Sequence, residues 1–234
     1  MNTVIINILC EGQTEERFVS KVMKPYFGRG IVLKPRILLT SKKKNQRGGM
    51  ISYSQAKRDI ENWISENRNR KSETHYYTTM FDFYALPSDF PGMDEIEKYI
   101  DAYGKVLVVE RAMAEKFQVR DFFIPYIQLH EFEALLLSDV SQIIAEFPTQ
   151  ERTITKLQKV LDGCNGNPEL VNTGRTTAPS KRITAVVEEG RKHEYYKKDL
   201  NGVNIACRIG IDVMMNKCKH FKEWIDKLIA LNIC

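Results

Sequence analysis

Residues 3–22 read TVIINILCEGQTEERFVSKV, and the prediction of the fold begins with them. The run from Thr3 to Leu9 is short, β-branched and almost wholly apolar, which is typical of a strand buried on both faces of a parallel sheet. Gly12 then turns the chain, and the apolar residues from Phe18 to Val22 recur at the spacing of one helical face. The stretch therefore predicts a central strand, a tight turn and a helix.

Strands and helices alternate along the first 150 residues. Further strands are predicted at Ile31 to Leu39, Tyr76 to Phe81 and Phe122 to Leu129, and helices at Tyr53 to Asn67 and Met93 to Arg111. Pro125 within the last strand favours an edge position or a bulge. This order predicts an α/β fold, with a mostly parallel sheet flanked by helices.

The pattern changes after residue 150. Residues 163–182 are rich in Gly, Asn, Thr and Pro, and loops of this length are usually functional or disordered. Near the end of the chain, apolar residues from Phe221 to Ile229 recur at helical spacing. We predict an α/β domain over residues 1–150 and a loop-rich, carboxyl-terminal helical extension over residues 151–234, packed on the same body.

Composition narrows the class of protein. The 234 residues are 43% hydrophobic and 28% charged, which is ordinary for a globular chain. The apolar runs are far shorter than the ~20 residues that span a bilayer, and the first run lacks the basic flank of a signal peptide, so we expect no membrane segment and a cytoplasmic location. Five scattered cysteines indicate neither a disulfide framework nor a zinc knuckle. The motifs of phosphate-binding loops, dinucleotide sites, zinc proteases and serine hydrolases are absent.

The charge distribution suggests a polyanionic partner. Residues 34–71 hold eleven Lys or Arg against three acids, and residues 174–222 hold eleven against five, whereas residues 72–173 hold eight against seventeen. A solvated surface would explain either basic segment alone. Two basic segments around clustered carboxylates suit a nucleic acid held over a bound cation. Nucleic-acid binding is predicted for four basic residues of one loop: Lys42, Lys43, Lys44 and Arg47.

Acids follow three of the predicted strands. Glu11 follows the first strand, Asp82 the third, and Glu131 with Glu133 the fourth. The carboxyl ends of parallel strands meet at one edge of a sheet, where repulsion among carboxylates calls for a cation. Oxygen ligands without neighbouring Cys or paired His favour Mg²⁺ or Mn²⁺.

Some of these acids also have a plainer interpretation. Glu15 and Glu16 fall in the first turn of a helix, where carboxylates interact favourably with the helix dipole, and the same holds for Glu131 and Glu133. Asp89 lies between two prolines and is typical of a turn.

A second helix start lies in the basic carboxyl-terminal half of the chain. Lys181 and Arg182 follow Ser180, which can cap a helix. This segment predicts either a phosphate-binding helix end or a solvated one.

Several stretches together resemble a known group of proteins. CEGQTEERFV after the first strand and FDFYALPSDFPG after a later one resemble the Toprim domain, the metal-binding catalytic fold of topoisomerases, primases and the overcoming-lysogenization-defect nucleases. The closer resemblance is to the bacterial domain-of-unknown-function family 4276, in the Toprim-like group. Further motifs that look like those of this family are QLHEFEALLLSD, NPELVN, TAPSKRI and CKHFKEW.

The resemblance implies a Toprim-like, Rossmann-like sheet and a metal site. Glu11 matches the first-strand glutamate of Toprim domains, and Asp82 matches the first acid of their Asp-x-Asp pair. Tyr84 stands in place of the second acid. Asp89, or else the pair Glu131 and Glu133, is therefore left to complete the cation site.

These features predict a Mg²⁺- or Mn²⁺-dependent nuclease, cutting DNA or else RNA in a bacterial anti-phage defence system. Glu11, Asp82 and Lys181 would be its catalytic residues, with Lys181 or Arg182 neutralising charge on the phosphate. The resemblance implies an ATPase partner, which must act in trans because the chain lacks a phosphate-binding loop. The alternative is a non-catalytic nucleic-acid-binding or regulatory subunit with a degenerate site. Assembly into a homo-oligomer is left open.

Overall fold

A mostly parallel sheet of five strands forms the centre of the protein in the computed structural model, which describes residues 3–28, 30–41, 46–47, 49–50, 52–68, 72–117, 122–172, 174, 176–189 and 194–232. In chain order the strands are β1 (Thr3–Cys10), β2 (Ile31–Ile37), β3 (Leu39–Ser41), β4 (Gln46–Arg47), β5 (Glu73–Asp82), β6 (Phe123–Ile124) and β7 (Ile127–Gln128). The main sheet has the order β2-β1-β5-β6, and β7 also pairs with β5. All its pairings are parallel, while β3 and β4 form a separate antiparallel pair.

Twelve α-helical segments surround the sheet in the described parts of the chain. They are α1 (Gln13–Phe18), α2 (Lys24–Phe27), α3 (Tyr53–Asn67), α4 (Ala102–Glu115), α5 (Glu133–Leu136), α6 (Val140–Glu146), α7 (Glu151–Ile154), α8 (Lys156–Asp162), α9 (Pro179–Glu188), α10 (Val203–Ile209), α11 (Ile211–Lys217) and α12 (Lys219–Ala230). Turns of π-helix occupy Val19–Met23 and Lys198–Gly202. The structure confirms the predicted α/β fold with carboxyl-terminal helices.

Strand β1 is central, as its sequence predicts. It pairs with β2 on one side and β5 on the other, and every residue after Thr3 is buried. Successive side chains of a strand point to opposite faces, and the two faces belong to different apolar clusters. Ile6 and Ile8 pack in the cluster that contains Phe221 and Trp224, whereas Leu9 packs with α3 and α4 on the other face.

The helix after β1 contains a widened turn. Residues 13–27 are helical throughout, but the turn Val19–Met23 has π-helical bonding directly before Pro25. Proline lacks the N–H that would bond to the carbonyl of Lys21, and its ring clashes with that carbonyl in a regular α-helix. The wider turn accommodates both effects.

Of the predicted elements that differ from the structure in extent, two have an identifiable cause. The predicted fourth strand is split into β6 and β7 around Pro125, which cannot donate a ladder hydrogen bond. The helix predicted from Met93 begins only at Ala102, because the Asp101 carboxylate accepts the Gly104 N–H at 2.9 Å and caps the helix there.

The carboxyl-terminal helices pack on the same sheet. Trp224 of α12 donates its indole N–H to the hydroxyl of Thr78 in β5 at 2.9 Å and stacks on Tyr126, with 4.0 Å between ring centroids. Across the described residues, no helix has both the length and the apolar character needed to cross a bilayer.

Candidate active site

Five carboxylates converge at the carboxyl edge of the sheet: Glu11, Glu15, Asp82, Glu131 and Glu133. We call them the carboxylate cluster. Glu11 directly follows β1, and its Oε2 accepts the backbone N–H of Asp82, the last residue of β5, at 3.2 Å. The Glu15 carboxylate on α1 accepts the Gly12 N–H at 2.9 Å, which closes the turn between β1 and α1. Adjacent parallel strands thus bring together acids that are 71 residues apart in sequence.

Backbone hydrogen bonds hold the segment containing Glu131 and Glu133 against the end of β5. Asp82 Oδ1 accepts the Phe132 N–H at 2.9 Å, and the carbonyl of His130 accepts the Tyr84 N–H at 2.9 Å. His130 adopts a left-handed backbone conformation (φ 63°), which is rare outside glycine and marks a tightly constrained turn. The two acids on either side of Phe132 are thereby fixed beside Asp82.

Two further segments reach the cluster from the carboxyl-terminal half. The Ser180 N–H in the first turn of α9 donates to Glu131 Oε1, so this acid stabilises the helix start. The Tyr196 hydroxyl donates to Glu133 Oε1 at 3.3 Å. Each of the five carboxylates therefore has one oxygen oriented by a donor.

Lys198 supplies a cation within the cluster. Its Nζ lies 3.3 Å from Asp82 Oδ2 and 3.0 Å from Glu133 Oε2. Its side chain is 37% exposed, whereas that of Glu133 is 0% exposed, so the lysine reaches in from the surface. Within the described residues, this one ammonium group pairs with two of the five carboxyl groups, which leaves the cluster short of positive charge.

The carboxyl groups of Glu11, Glu15 and Asp82 all have raised pKa values. Burial and the Asp82 carboxylate raise the pKa of Glu11 to about 7, and the same two causes raise the pKa of Glu15 to about 7. Burial also raises the pKa of Asp82, against the opposing effect of Lys198. Near neutral pH, the Glu11 and Glu15 carboxyl groups are therefore poised between the protonated and ionised forms.

Glu133 and Lys198 each affect the pKa of the other. Burial raises the pKa of Glu133 to about 8, although Lys198 opposes the change. Burial alone would lower the pKa of Lys198, but Asp82, Glu133 and Glu15 outweigh it and hold that pKa well above its usual value. The lysine therefore stays charged across the physiological range.

The cluster has the donor chemistry of a site for a hard divalent cation, since carboxylate oxygens are the ligands that Mg²⁺ and Mn²⁺ prefer. Among the described residues, however, no three His, Cys, Asp or Glu side chains are already placed to hold a metal ion. The Lys198 ammonium group lies between two of the acids. The charge and the ligand type of these residues therefore suit a divalent cation, provided that the Lys198 ammonium group moves away from Asp82 and Glu133.

Unlike the other predicted ligands, Asp89 lies at the start of α3. Both of its carboxylate oxygens lie 3.0 Å from the Tyr53 N–H, so it caps the start of α3. This agrees with the plainer interpretation of Asp89 as a turn residue.

The predicted basic residues are only partly located. Helix α9 begins at Pro179 with Ala178 at the cap position, so Ser180 lies inside the helix, and its N–H donates to Glu131. Lys181 is exposed, and Arg182 Nε donates to the Thr177 carbonyl at 2.7 Å. Lys42, Lys43 and Lys44 lie outside the described residues, and of Arg47 only the backbone, in β4, is described.

Sequence reasoning missed Lys198 and assigned Glu15 only to the helix dipole. Lys198 is 116 residues from Asp82 and resembles its neighbour Lys197 in every local respect. A signal for Glu15 was present, because it lies four residues after Glu11 on the same strand-to-helix connection.

Two of the quoted motifs form a structural contact instead. Glu169 of NPELVN is fully buried and accepts the N–H groups of His220 and Phe221 in CKHFKEW, each at 3.0 Å. It also accepts the Tyr103 hydroxyl at 2.9 Å. This carboxylate caps α12 and joins it to α4.

The mostly parallel sheet flanked by helices places this protein in the α/β class, and buried carboxylates lie at the carboxyl ends of its central strands. Residues 10–229 match the family described as domain of unknown function (DUF4276), and the chain belongs to that family. Comparison with curated proteins and with solved structures gives no match.

Proposed function

We propose that the protein is a metal-dependent nuclease that hydrolyses phosphodiester bonds of DNA, or else of RNA. The observation that carries the proposal is the carboxylate cluster, in which five acids lie together and, among the described residues, the ammonium group of Lys198 pairs with two of them. Such an excess of buried negative charge favours a divalent cation. Glu11 and Asp82 at the ends of adjacent strands also support the Toprim-like resemblance.

Four acids of the cluster would take part in metal binding. Glu11 and Asp82 would hold Mg²⁺ or Mn²⁺, with Glu131 and Glu133 as further ligands. When bound, the cation supplies charge that stabilises the attacking and leaving oxygens of the phosphodiester. Glu11 would also orient the attacking water or accept a proton from it.

Lys181 would bind the phosphate of the substrate. It follows Ser180, whose N–H contacts Glu131, so its backbone is adjacent to the carboxylate cluster. Its side chain is exposed, and an ammonium group there can meet negative charge that develops on the phosphate. Nucleic-acid binding by Arg182 and by Lys42, Lys43, Lys44 and Arg47 stays a prediction, as do the anti-phage role, the separate ATPase, self-association and the cytoplasmic location.

A non-catalytic nucleic-acid-binding or regulatory subunit is the second candidate. The position of Lys198 favours it, because an ammonium group between Asp82 and Glu133 neutralises part of the cluster without a metal ion. Such a subunit would bind nucleic acid with or without Mg²⁺ and cut none.

Cleavage assays separate the two candidates. Purified protein is incubated with single-stranded DNA, duplex DNA and RNA, in Mg²⁺, in Mn²⁺ and in EDTA. A nuclease of the proposed kind cuts at least one substrate only with metal, and Asp82→Asn lowers the rate about a hundredfold or more, since a metal ligand is lost. Glu16→Gln, on the same helical turn as Glu15, is the control and keeps wild-type activity. Binding without cleavage under every condition would overturn the nuclease proposal, and equal cleavage by Asp82→Asn would assign the activity elsewhere.

A further inference from the structure

One short segment lies over the carboxylate cluster. We call residues 194–202 the cover segment. Its Tyr196 hydroxyl contacts Glu133, and its Lys198 ammonium group contacts Asp82 and Glu133. The Asp82 side chain beneath it is only 9% exposed. Any ion that binds these two acids must share the space with Lys198.

An ion pair fastens the cover segment next to Lys198. Arg17 Nη1 donates to the backbone carbonyl of Asp199 at 2.9 Å and to its carboxylate at 2.7 Å. Arg17 lies on α1, two residues after Glu15 of the cluster. A single guanidinium group thus fixes both the backbone and the side chain of the residue adjacent to Lys198.

Other contacts also hold the cover segment: Thr149 Oγ1 donates to Glu194 Oε1 at 2.7 Å, and Tyr196 packs against the apolar core. The Lys197 N–H donates to Asn201 Oδ1 at 2.9 Å, and Asn201 Nδ2 donates to Glu146 at 2.8 Å. These bonds stabilise the π-helical turn that begins at Lys198. The Arg17–Asp199 pair links this turn directly to the helix that carries Glu15.

The placement of Lys198 is that of a counter-ion. Its Nζ is within 3.3 Å of oxygens from two acids on different segments, which is where a bridging cation would draw its ligands together. A positive charge at that position repels a divalent cation through the same interaction that neutralises the acids. The Lys198 ammonium group and a divalent cation therefore compete for the same position between Asp82 and Glu133.

We propose that Lys198 is a built-in counter-ion that a divalent cation must displace, and that Arg17 is a positioning residue which sets this competition by holding Asp199. The inference rests on the metal site of the proposed function. It adds that, in the metal-free protein, the Lys198 ammonium group occupies the position between Asp82 and Glu133. Loss of either Lys198 or Arg17 therefore tightens metal binding.

Isothermal titration calorimetry with Mn²⁺ tests the inference without any activity measurement. Lys198→Met keeps the length of the side chain and removes the charge, and we expect its Kd for Mn²⁺ to fall about tenfold or more. Arg17→Gln releases the cover segment with the carboxylate cluster intact, and its Kd should fall about threefold or more. Lys198→Arg keeps the charge and should bind no more tightly than the wild type.

Arg36→Gln is the matched control. Arg36 and Arg17 are both 39% exposed, and each forms one ion pair, at 2.9 Å with Glu66 and at 2.7 Å with Asp199. The control should keep the wild-type Kd. A purely structural role for Lys198 and Arg17 would lower thermal stability and leave Mn²⁺ affinity unchanged or weaker, and that result would overturn the inference alone. No Mn²⁺ binding by the wild type or by any variant would overturn the inference and the proposed metal site together.

Discussion

Replacing Glu15 by Gln is expected to stabilise the metal-free protein, although a carboxylate in the first turn of a helix is normally favourable. Burial and the Asp82 carboxylate raise the pKa of Glu15 from 4.5 to about 7. At about 1.4 kcal/mol per pH unit, the ionised form costs the folded state about 3 kcal/mol. Gln keeps an oxygen for the Gly12 N–H and removes the charge, so the gain at pH 8 should be about 1–2 kcal/mol after the cost of burying the amide.

The sign of this effect depends on pH. Because the pKa of Glu15 is raised in the folded state, the unfolded chain loses its proton first as the pH rises. The Glu15 carboxyl therefore lowers the stability of the wild type as the pH rises from about 4.5 through about 7, and Glu15→Gln lacks this contribution. The advantage of Glu15→Gln should be largest at pH 8 and nearly absent at pH 4.5.

Urea unfolding in EDTA, followed by tryptophan fluorescence at both pH values, measures the difference. Glu16→Gln is the control, since Glu16 lies on the same turn but is only half-buried and bonded to the Ser20 hydroxyl at 3.0 Å. If Glu15 acts only on the helix dipole, Glu15→Gln will instead destabilise the protein by about 0.3–1 kcal/mol at pH 8. That outcome would refute the shortage of positive charge in the carboxylate cluster.

Three further predictions concern other parts of the chain. Glu169→Gln should lower the free energy of unfolding by about 1–3 kcal/mol with Mn²⁺ affinity unchanged, because one of the two oxygens that cap α12 is lost; an unchanged urea midpoint would contradict this. The rise in melting temperature caused by Mn²⁺ should be larger at pH 8 than at pH 6, because the Glu11 carboxyl, with its pKa of about 7, must be ionised to bind the ion; equal rises would remove Glu11 from the ligands. Lys181→Ala should slow single-turnover cleavage about tenfold or more with little change in nucleic-acid affinity, and equal losses would place Lys181 on the general basic surface.

The fold could be predicted where local patterns determine it. The apolar run of β1 is buried on both faces, and the helical spacing at Tyr53 to Asn67 matches α3 over the same residues. The start of α4 could not be placed, because the apolar spacing from Met93 continues through turns and the Asp101 cap decides where the helix begins.

The candidate site was predictable only from topology. Parallel strands place Glu11 and Asp82 at one edge whatever the loops do, and the acids after the next strand join them there. Glu131 also follows this rule, but its contact with Ser180 joins segments 49 residues apart and has no local signal. Lys198 could not be predicted from the sequence, because its local sequence resembles that of Lys197. Only the folded chain places its ammonium group against Asp82 and Glu133.

Titration of Mg²⁺ and Mn²⁺ into the metal-free protein at pH 8, by calorimetry, tests the central claim most directly. We expect saturable binding by the wild type, no detectable binding by Glu11→Gln or Asp82→Asn, and wild-type binding by Asp89→Asn, whose carboxylate caps α3 instead. Circular dichroism should show that all three variants are folded. No binding by the wild type, or equal binding by folded Glu11→Gln and Asp82→Asn, would contradict the assignment of the carboxylate cluster as a metal site.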